Sequence, residues 1–187
     1  MEQLLQAALL GLVEGITEFL PVSSTGHLIL LIDILGFVAP QGRVFEVVIQ
    51  LGAILAVCFA FRTRITDILL HLHDRKEPRH FITLIFCAFL PAAIIGITAH
   101  SFIKEVLFSP LVVAVMLVVG GVVILLIERF KPTSTIHSVD NMTVRHALII
   151  GFCQALAMIP GTSRSGATMM GALCVKIDRK TAAEFSF

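Results

Sequence analysis

Long apolar stretches alternate with short polar segments along the chain. Residues 81–99 and 111–127 contain no Asp, Glu, Lys or Arg, and residues 47–61 form a shorter stretch of the same kind. A helix needs about 20 mainly apolar residues to cross the hydrocarbon core of a bilayer. The pattern therefore predicts two membrane-spanning helices and a third, shorter candidate.

Composition argues against an ordinary soluble domain. Of the 187 residues, 57% are hydrophobic and 14% are charged, whereas soluble domains are about half apolar and about a quarter charged. A soluble helical protein with a large core is disfavoured because its helices would keep polar faces. The net charge of +1 gives no reason to expect a nucleic acid partner. We therefore predict an all-α integral membrane protein, a polytopic helical bundle in the lipid bilayer.

The polar segments predict an orientation. Segment 62–80 contains five Lys and Arg residues and segment 129–145 contains three, whereas segment 100–110 contains only Lys104. Because basic loops are retained on the cytoplasmic side, we expect the first two segments to face the cytoplasm and the third to face outward. One predicted span separates each loop from the next, so the assignment is self-consistent.

Two motifs in the chain resemble each other. They are GLVEGITEFLPVSSTG at 11–26 and GFCQALAMIPGTSRSG at 151–166. Each begins with Gly, has Glu14 or Gln154 three residues later, and passes through an apolar segment to a proline. Each then ends in a turn rich in Ser and Thr that closes on Gly. The prolines are one position out of register, so the internal repeat is imperfect.

Three predicted spans separate the two motifs, and an odd number places the second motif upside down relative to the first. Inverted-topology repeats bring broken helices together near the middle of the membrane. We predict a single membrane domain, 1–187, with repeat one at about 1–128 and an incomplete repeat two at about 146–187. A weaker similarity relates RVFE at 43–46 to AAEF at 182–185.

Each motif is interrupted by proline and small residues. We predict two re-entrant helix-turn-helix hairpins, at 4–37 and 146–175. Each would enter and leave the membrane on the same face. Irregular backbone at that depth is tolerated only where protein or a water-filled cavity surrounds it. The alternative is a pair of ordinary spanning helices that are kinked at proline.

Two carboxylates stand in this apolar setting. Glu14 and Glu18 are four residues apart and share one helix face. Because a charge inside a membrane costs several kcal/mol unless it is compensated, the pair needs a metal ion, an arginine or a shared proton. Carboxylates suit Mg²⁺ or Ca²⁺, so we predict a divalent-cation site. A pair of acids at the membrane interface is the alternative.

The second motif offers the opposite charge. Its turn contains Arg164, whose planar guanidinium suits phosphate oxygens, and a helix that starts there would also favour an anion. A simple helix cap beside an interfacial arginine is the alternative. The candidate substrate-binding residues of this turn are Gly161, Thr162, Ser163, Ser165 and Gly166.

The first turn supplies Ser23, Ser24, Thr25 and His27. His27 could act as a general base or as the nucleophile in phosphoryl transfer. Ser24 could instead be the nucleophile that His27 activates, with Ser23 and Thr25 binding substrate. A structural hydrogen-bonding role for His27 is the alternative.

A further polar pair lies in the third apolar stretch. Glu46 and Gln50 are four residues apart in otherwise apolar sequence. They could join the site, or they could pair with Arg43, and the sequence leaves both open.

Carboxylates, a histidine, hydroxyls and an arginine in two facing turns fit metal-assisted phosphoryl chemistry, in which positioning and charge neutralisation supply most of the catalysis. A cation would neutralise phosphate oxygens, and Arg164 would stabilise the transferring group. A site inside an apolar bundle favours a lipid phosphate as substrate. The rival functions are a transporter or flippase for such a lipid phosphate, and a purely structural scaffold.

The motifs EGITEFLPVSSTGH and PGTSRSGAT resemble those of the undecaprenyl-diphosphatase family of the bacitracin-resistance type, and so do FEVVIQLGAILAV and AAEFSF. The resemblance covers essentially the whole chain. It implies an enzyme of the bacterial plasma (inner) membrane that converts undecaprenyl diphosphate to the monophosphate carrier lipid used in peptidoglycan synthesis. It also implies dependence on a divalent cation, action on the outer side, and bacitracin resistance on overproduction.

The resemblance assigns roles residue by residue. It gives the acidic motif as Glu14 and Glu18, the hydroxyl turn as Ser23, Ser24 and Thr25, the histidine as His27, and the basic motif as Gly161, Ser163, Arg164, Ser165 and Gly166. It leaves Ser24 and His27 as rival nucleophiles. It also leaves open whether the chain forms a homodimer.

Members of that family continue beyond the position that corresponds to Phe187. We therefore expect the second repeat to be incomplete, as a fragment or through loss of the last helices. We hypothesise that the 187-residue chain folds poorly or acts weakly alone. A purified chain with full, stable activity would refute this.

Overall fold

The computed structural model describes residues 2–38, 44–102 and 109–187, and these ranges contain helices and turns without a β-strand. The all-α prediction is thus confirmed for this part of the chain. Short 3-10 turns occupy Val139–Asn141 and Leu156–Met158. The α-helices are α1 (Glu2–Thr17), α2 (Ser24–Leu35), α3 (Val44–Ala60), α4 (Arg62–His71), α5 (Lys76–Phe102), α6 (Pro110–Phe130), α7 (Val144–Ala155), α8 (Arg164–Cys174) and α9 (Arg179–Ser186).

Two helices are long and apolar enough to cross a membrane. They comprise Lys76–Ala99 of α5 and Leu111–Phe130 of α6, and they contain the two predicted charge-free spans. The third candidate folds as α3 and bends by 70° into α4, so it counts as a span only if both helices are taken together. Many large apolar side chains point outward, including Ile97 at 82% and Leu125 at 71% exposure. Contiguous apolar surface of this kind fits a lipid environment.

The bend between α3 and α4 follows from the change in sequence at Arg62. Its guanidinium lies 4.5 Å from the centre of the Phe59 ring and donates a hydrogen bond of 2.9 Å to the Phe59 carbonyl. An arginine near the C-terminus of a helix satisfies a carbonyl that has no partner within the helix. The apolar helix therefore ends where the basic segment begins.

Both motifs fold as two helices joined by a turn, close to the predicted limits of 4–37 and 146–175. The Ser23 hydroxyl accepts a hydrogen bond from the Gly26 amide at 3.3 Å, and the Ser163 hydroxyl accepts one from the Gly166 amide at 3.1 Å. These N-caps occupy matching positions of the two motifs. The caps support the local equivalence of the turns, whereas the inverted topology, the re-entrant path and the repeat boundaries stay predictions.

Helix α7 packs closely against α5 where the two helices cross. A Cβ atom built on Gly151 would lie 2.3 Å from the Ala88 carbonyl oxygen, so no side chain fits between these two backbones. The surrounding core is apolar and contributed by α5, α7, α8, α9 and the segment before α7. Its members are Leu84, Ala88, Val139, Met142, Ala147, Ile150, Ala172, Ile177, Ala182 and Phe185.

The segment before α7 is tied to the connection between α8 and α9. The Asp178 amide donates a hydrogen bond of 2.9 Å to the Ile136 carbonyl. The Asp178 carboxylate caps α9 by accepting from the Thr181 amide at 2.7 Å, and it contacts the His137 ring at 2.8 Å. The hydrogen bond from the Thr181 amide has the larger effect in lowering the pKa of Asp178, and the contact with His137 lowers it further.

We predict that Gly151→Ala lowers the free energy of unfolding by about 1–3 kcal/mol, the usual cost of overpacking a tight core. Gly120→Ala is the matched control because no described atom lies within 4 Å of its added Cβ. That control should keep or raise stability, since Ala is the better helix former. Unfolding by SDS in mixed micelles, followed by circular dichroism, measures both. Equal stability of the two variants would contradict the close packing at Gly151.

We predict that acid weakens the connection before α9 through Asp178. Its pKa is lower in the folded protein than in the unfolded chain, where it is about 3.9. Its contribution is therefore present above that value and lost as pH falls through the lower folded pKa. Asp178→Asn should remove part of the loss of stability between about pH 5 and 2. Asp74→Asn, at an exposed position without a side-chain partner among the described residues, should leave that loss unchanged.

Candidate active site

A cavity of about 290 Å³ lies between the turns of the two motifs, with α3 and α5 contributing to its wall. Ligand pockets usually span about 300–1,000 Å³, so this volume suits a small polar group. The residues lining the cavity are Thr17, Glu18, Ser23, Ser24, Thr25, Gln50, Ala92, Gln154, Ala157, Met158, Thr162, Ser163, Arg164 and Ser165. The structure therefore brings hydroxyls of the first motif together with the arginine of the second, as the sequence predicted.

An ion pair joins the two motifs across this cavity. Nη2 of Arg164 donates to Oε1 of Glu18 at 3.1 Å, and the Ser24 hydroxyl donates to Oε2 of the same carboxylate at 2.6 Å. The Glu18 side chain is 12% exposed, whereas that of Arg164 is 54% exposed. The carboxylate is thus engaged through both oxygens, while the guanidinium keeps donors that can reach a ligand.

Direct packing of one turn on the other holds this geometry. The Ser165 hydroxyl donates to the Leu20 carbonyl at 3.2 Å. A Cβ atom on Gly166 would lie 3.3 Å from Cβ of Pro21. The rings of Phe19 and Phe187 meet edge to face with centroids 5.8 Å apart. The two signature turns therefore form one unit although they are far apart in sequence.

Two residues of the turns adopt backbone conformations with positive φ. Gly161 has φ +94°, and a Cβ there would lie 2.5 Å from the Val113 carbonyl oxygen, so only glycine fits. Ser23 has φ +63°, whereas its counterpart Ser163 has φ −73°. Strained residues of this kind often occur at functional sites. Of the two cap serines, Ser23 adopts the strained conformation, and it lies in the turn that carries the candidate nucleophile.

The two candidate nucleophiles have different surroundings. Ser24 lines the cavity and contacts Glu18, whereas His27 is half-buried and is absent from the cavity wall. Nδ1 of His27 lies 2.9 Å from the Ser23 carbonyl. Because a carbonyl only accepts hydrogen bonds, this nitrogen carries the proton. The ring therefore supports the strained residue of the turn, and Glu18 is the group in contact with the Ser24 hydroxyl.

Glu14 lies outside the cavity wall. Its side chain is 3% exposed, and Oε2 is buried without a hydrogen-bond partner among the described residues. The described residues contain no cluster of three or more His, Cys, Asp or Glu side chains suited to a metal ion. A cation held by Glu14 and Glu18 would need further ligands from substrate or water, which Mg²⁺ commonly uses. The residues fit a divalent cation on that condition, and the unpartnered oxygen of Glu14 is the feature that favours it.

The remaining predicted residues divide between cavity and protein interior. Thr162 lines the cavity, and its hydroxyl oxygen is buried without a described partner. Gln50 also lines the cavity, whereas Oε2 of Glu46 is buried without a partner among the described residues. Arg43, the alternative partner of this pair, lies outside the described residues.

The sequence did not identify Gln154, Thr17 and Met158 as cavity residues. A signal was present for Gln154, because it occupies the position of Glu14 in the second motif. Thr17 and Met158 carried no such signal, since an isolated threonine or methionine in an apolar helix usually packs.

Comparison with known proteins places the chain in a family. The profile for "Bacitracin resistance protein BacA" matches residues 7–187. The chain is 53% identical over 185 residues to the undecaprenyl-diphosphatase of Azospirillum brasilense, with 99% of each protein covered. It is 53% identical to undecaprenyl-diphosphatase 2 of Paramagnetospirillum magneticum, covering 98% of this chain and 70% of that protein. For the undecaprenyl-diphosphatase of Parvibaculum lavamentivorans the identity is 52%, with 98% and 68% covered. The chain belongs to the bacitracin resistance protein BacA family.

Proposed function

We propose that this membrane protein hydrolyses undecaprenyl diphosphate to undecaprenyl phosphate and inorganic phosphate. The reaction recycles the carrier lipid for peptidoglycan synthesis and confers resistance to bacitracin. The observation that carries the proposal is the cavity in which Arg164 meets Glu18 and Ser24. The names of the similar proteins support the choice of substrate.

The cavity accommodates the diphosphate rather than the lipid chain. Its volume of about 290 Å³ suits the polar head, and the exposed apolar faces of the helices suit the polyprenyl chain. Arg164 offers charge-assisted hydrogen bonds to phosphate oxygens, and the N-terminus of α8 favours the same negative charge. Thr162 and Ser163 also line the cavity next to this end of α8.

Ser24 is the nucleophile in this proposal, because its hydroxyl is 2.6 Å from Oε2 of Glu18. As the Ser24 oxygen bonds to the terminal phosphorus, its proton passes to Glu18 and the bond from phosphorus to the bridging oxygen breaks. Undecaprenyl phosphate leaves and takes up the proton that Glu18 received, so Glu18 is ionised again. Water then attacks the phosphoserine and gives inorganic phosphate. Glu18 accepts a proton from this water and passes it to the departing Ser24 oxygen, which restores the hydroxyl. Arg164 stabilises the charge on the transferring group throughout.

We propose that Glu14 and Glu18 would hold a divalent cation, Mg²⁺ or Ca²⁺, together with oxygens of the substrate. When bound, the cation would supply neutralisation of phosphate charge. The unpartnered oxygen of Glu14 supports this assignment.

Location and orientation belong to the same proposal. The family and the two apolar helices support a multi-pass protein of the bacterial inner membrane. The basic segments 62–80 and 129–145 support a cytoplasmic position for those loops. Action from the outer side is proposed from the resemblance to the family. Lys104 of the third loop lies outside the described residues. Homodimer formation stays open.

We predict that Ser24→Ala abolishes phosphate release and that Arg164→Ala lowers kcat about 10²–10³-fold, the usual effect of losing one transition-state donor. The assay is phosphate release by purified protein from undecaprenyl diphosphate, with and without Mg²⁺ or Ca²⁺. Arg145→Ala, at an exposed position of α7, is the matched control and should leave release unchanged. Substrate binding by wild type without phosphate release would instead favour the transporter alternative.

We predict that His27 acts by positioning the turn. His27→Asn keeps an N–H donor near the position of Nδ1, so it should preserve the hydrogen bond to the Ser23 carbonyl and retain much more activity than His27→Ala. The expected difference is about five- to tenfold in kcat, from the loss of about one hydrogen bond of 1–1.5 kcal/mol. Equal and complete inactivation by both substitutions would make His27 the chemical group and overturn this role.

A further inference from the structure

Two neutral amide side chains at the cavity take no part in the reaction as proposed. Gln50 on α3 and Gln154 in the last turn of α7 both line the cavity. Gln154 is half-buried at the cavity wall, and none of the hydrogen bonds found among the described residues involves its side chain. A glutamine amide has two N–H donors. Gln154 therefore has unused hydrogen-bonding capacity beside the groups that would bind the diphosphate.

The internal repeat places Gln154 at the position that Glu14 occupies in the first motif. It follows Gly151 by three residues, as Glu14 follows Gly11. Gln154 precedes the cap Ser163 by nine residues, as Glu14 precedes the cap Ser23. Both caps are present in the structure. The two copies thus differ at this position by one charge, with a carboxylate in the first and an amide of the same length in the second.

The charge balance of the cavity gives that difference a consequence. Among the described residues that line it, Glu18 and Arg164 are the charged ones, and they pair with each other. A second carboxylate at position 154 would leave the lining with a net negative charge. Like charges brought together at a binding site cost several kcal/mol, so a glutamate there would oppose an anionic ligand.

We propose that Gln154 is a substrate-binding residue that donates an amide N–H to the diphosphate. Because its side chain is uncharged, the second motif can bind an anion without repulsion at this position. The inference rests on the proposed function for the choice of substrate. Glutamine has two N–H donors, whereas an ionised glutamate only accepts hydrogen bonds. The first motif would then be the acidic half of the site and the second motif the phosphate-binding half.

The test compares Gln154→Glu and Gln154→Leu with wild type in the phosphate-release assay from pH 8 to pH 5. At neutral pH we expect Gln154→Glu to lower kcat/KM by at least about 100-fold, because a like charge costs several kcal/mol. We expect Gln154→Leu to lower it about tenfold, mainly through KM, because one hydrogen bond is lost. Gln3→Glu, at an exposed position of α1, is the matched charge control and should match wild type.

The pH profile separates a ligand contact from a packing role. A protonated glutamate is neutral and can donate a hydrogen bond, so the activity of Gln154→Glu relative to wild type should rise as pH falls. The same ratio for Gln154→Leu should stay flat. Gln154→Leu within about twofold of wild type, or a flat ratio for Gln154→Glu, would overturn the proposal.

Binding of inorganic diphosphate, measured by calorimetry in detergent, distinguishes failure of this inference from failure of the proposed function. If wild type binds diphosphate, releases no phosphate from the lipid, and binds more tightly than Gln154→Glu, the role of Gln154 stands and the phosphatase proposal fails. If wild type releases phosphate while all Gln154 variants bind diphosphate equally well, the phosphatase proposal stands and the role of Gln154 fails.

Discussion

The ion pair between Glu18 and Arg164 joins two segments that are 146 residues apart and brings a carboxylate and a guanidinium to one small cavity. Each charge would be costly in an apolar bundle without the other. The pair is completed by the Ser24 hydroxyl, so one carboxylate both binds the arginine and contacts the candidate nucleophile. The position of the Ser24 hydroxyl therefore depends on the contact between the two motifs.

Close backbone approaches make that contact possible. Gly151 lets α7 lie directly against α5, and Gly161 lets the second turn lie against α6. A methyl group at Gly151 would clash with the Ala88 carbonyl oxygen and push α7 away from α5. A methyl group at Gly161 would clash with the Val113 carbonyl oxygen and push the second turn away from α6. Because a misplacement of about 1 Å can cost much of the activity, the close packing at these glycines supports the geometry of the site.

The site combines two chemically different halves of similar local architecture. Both turns begin a helix with a serine cap that bonds the glycine three residues later. The first half carries Glu14 and Glu18, whereas the second carries Gln154 and Arg164. In the proposed reaction, the first half would hold the cation and the second would bind the phosphate oxygens.

The sequence by itself determined the helical class, the two apolar spans, the turn after each motif and the pairing of an acidic with a basic motif. Those features depend on local composition and spacing, and the resemblance to a family adds the substrate. Only the tertiary structure decided that Ser24 contacts Glu18, that His27 supports the turn, and that Gln154 rather than Glu14 lines the cavity. Helix periodicity fixes which side chains share a face, but packing between distant segments decides what that face meets.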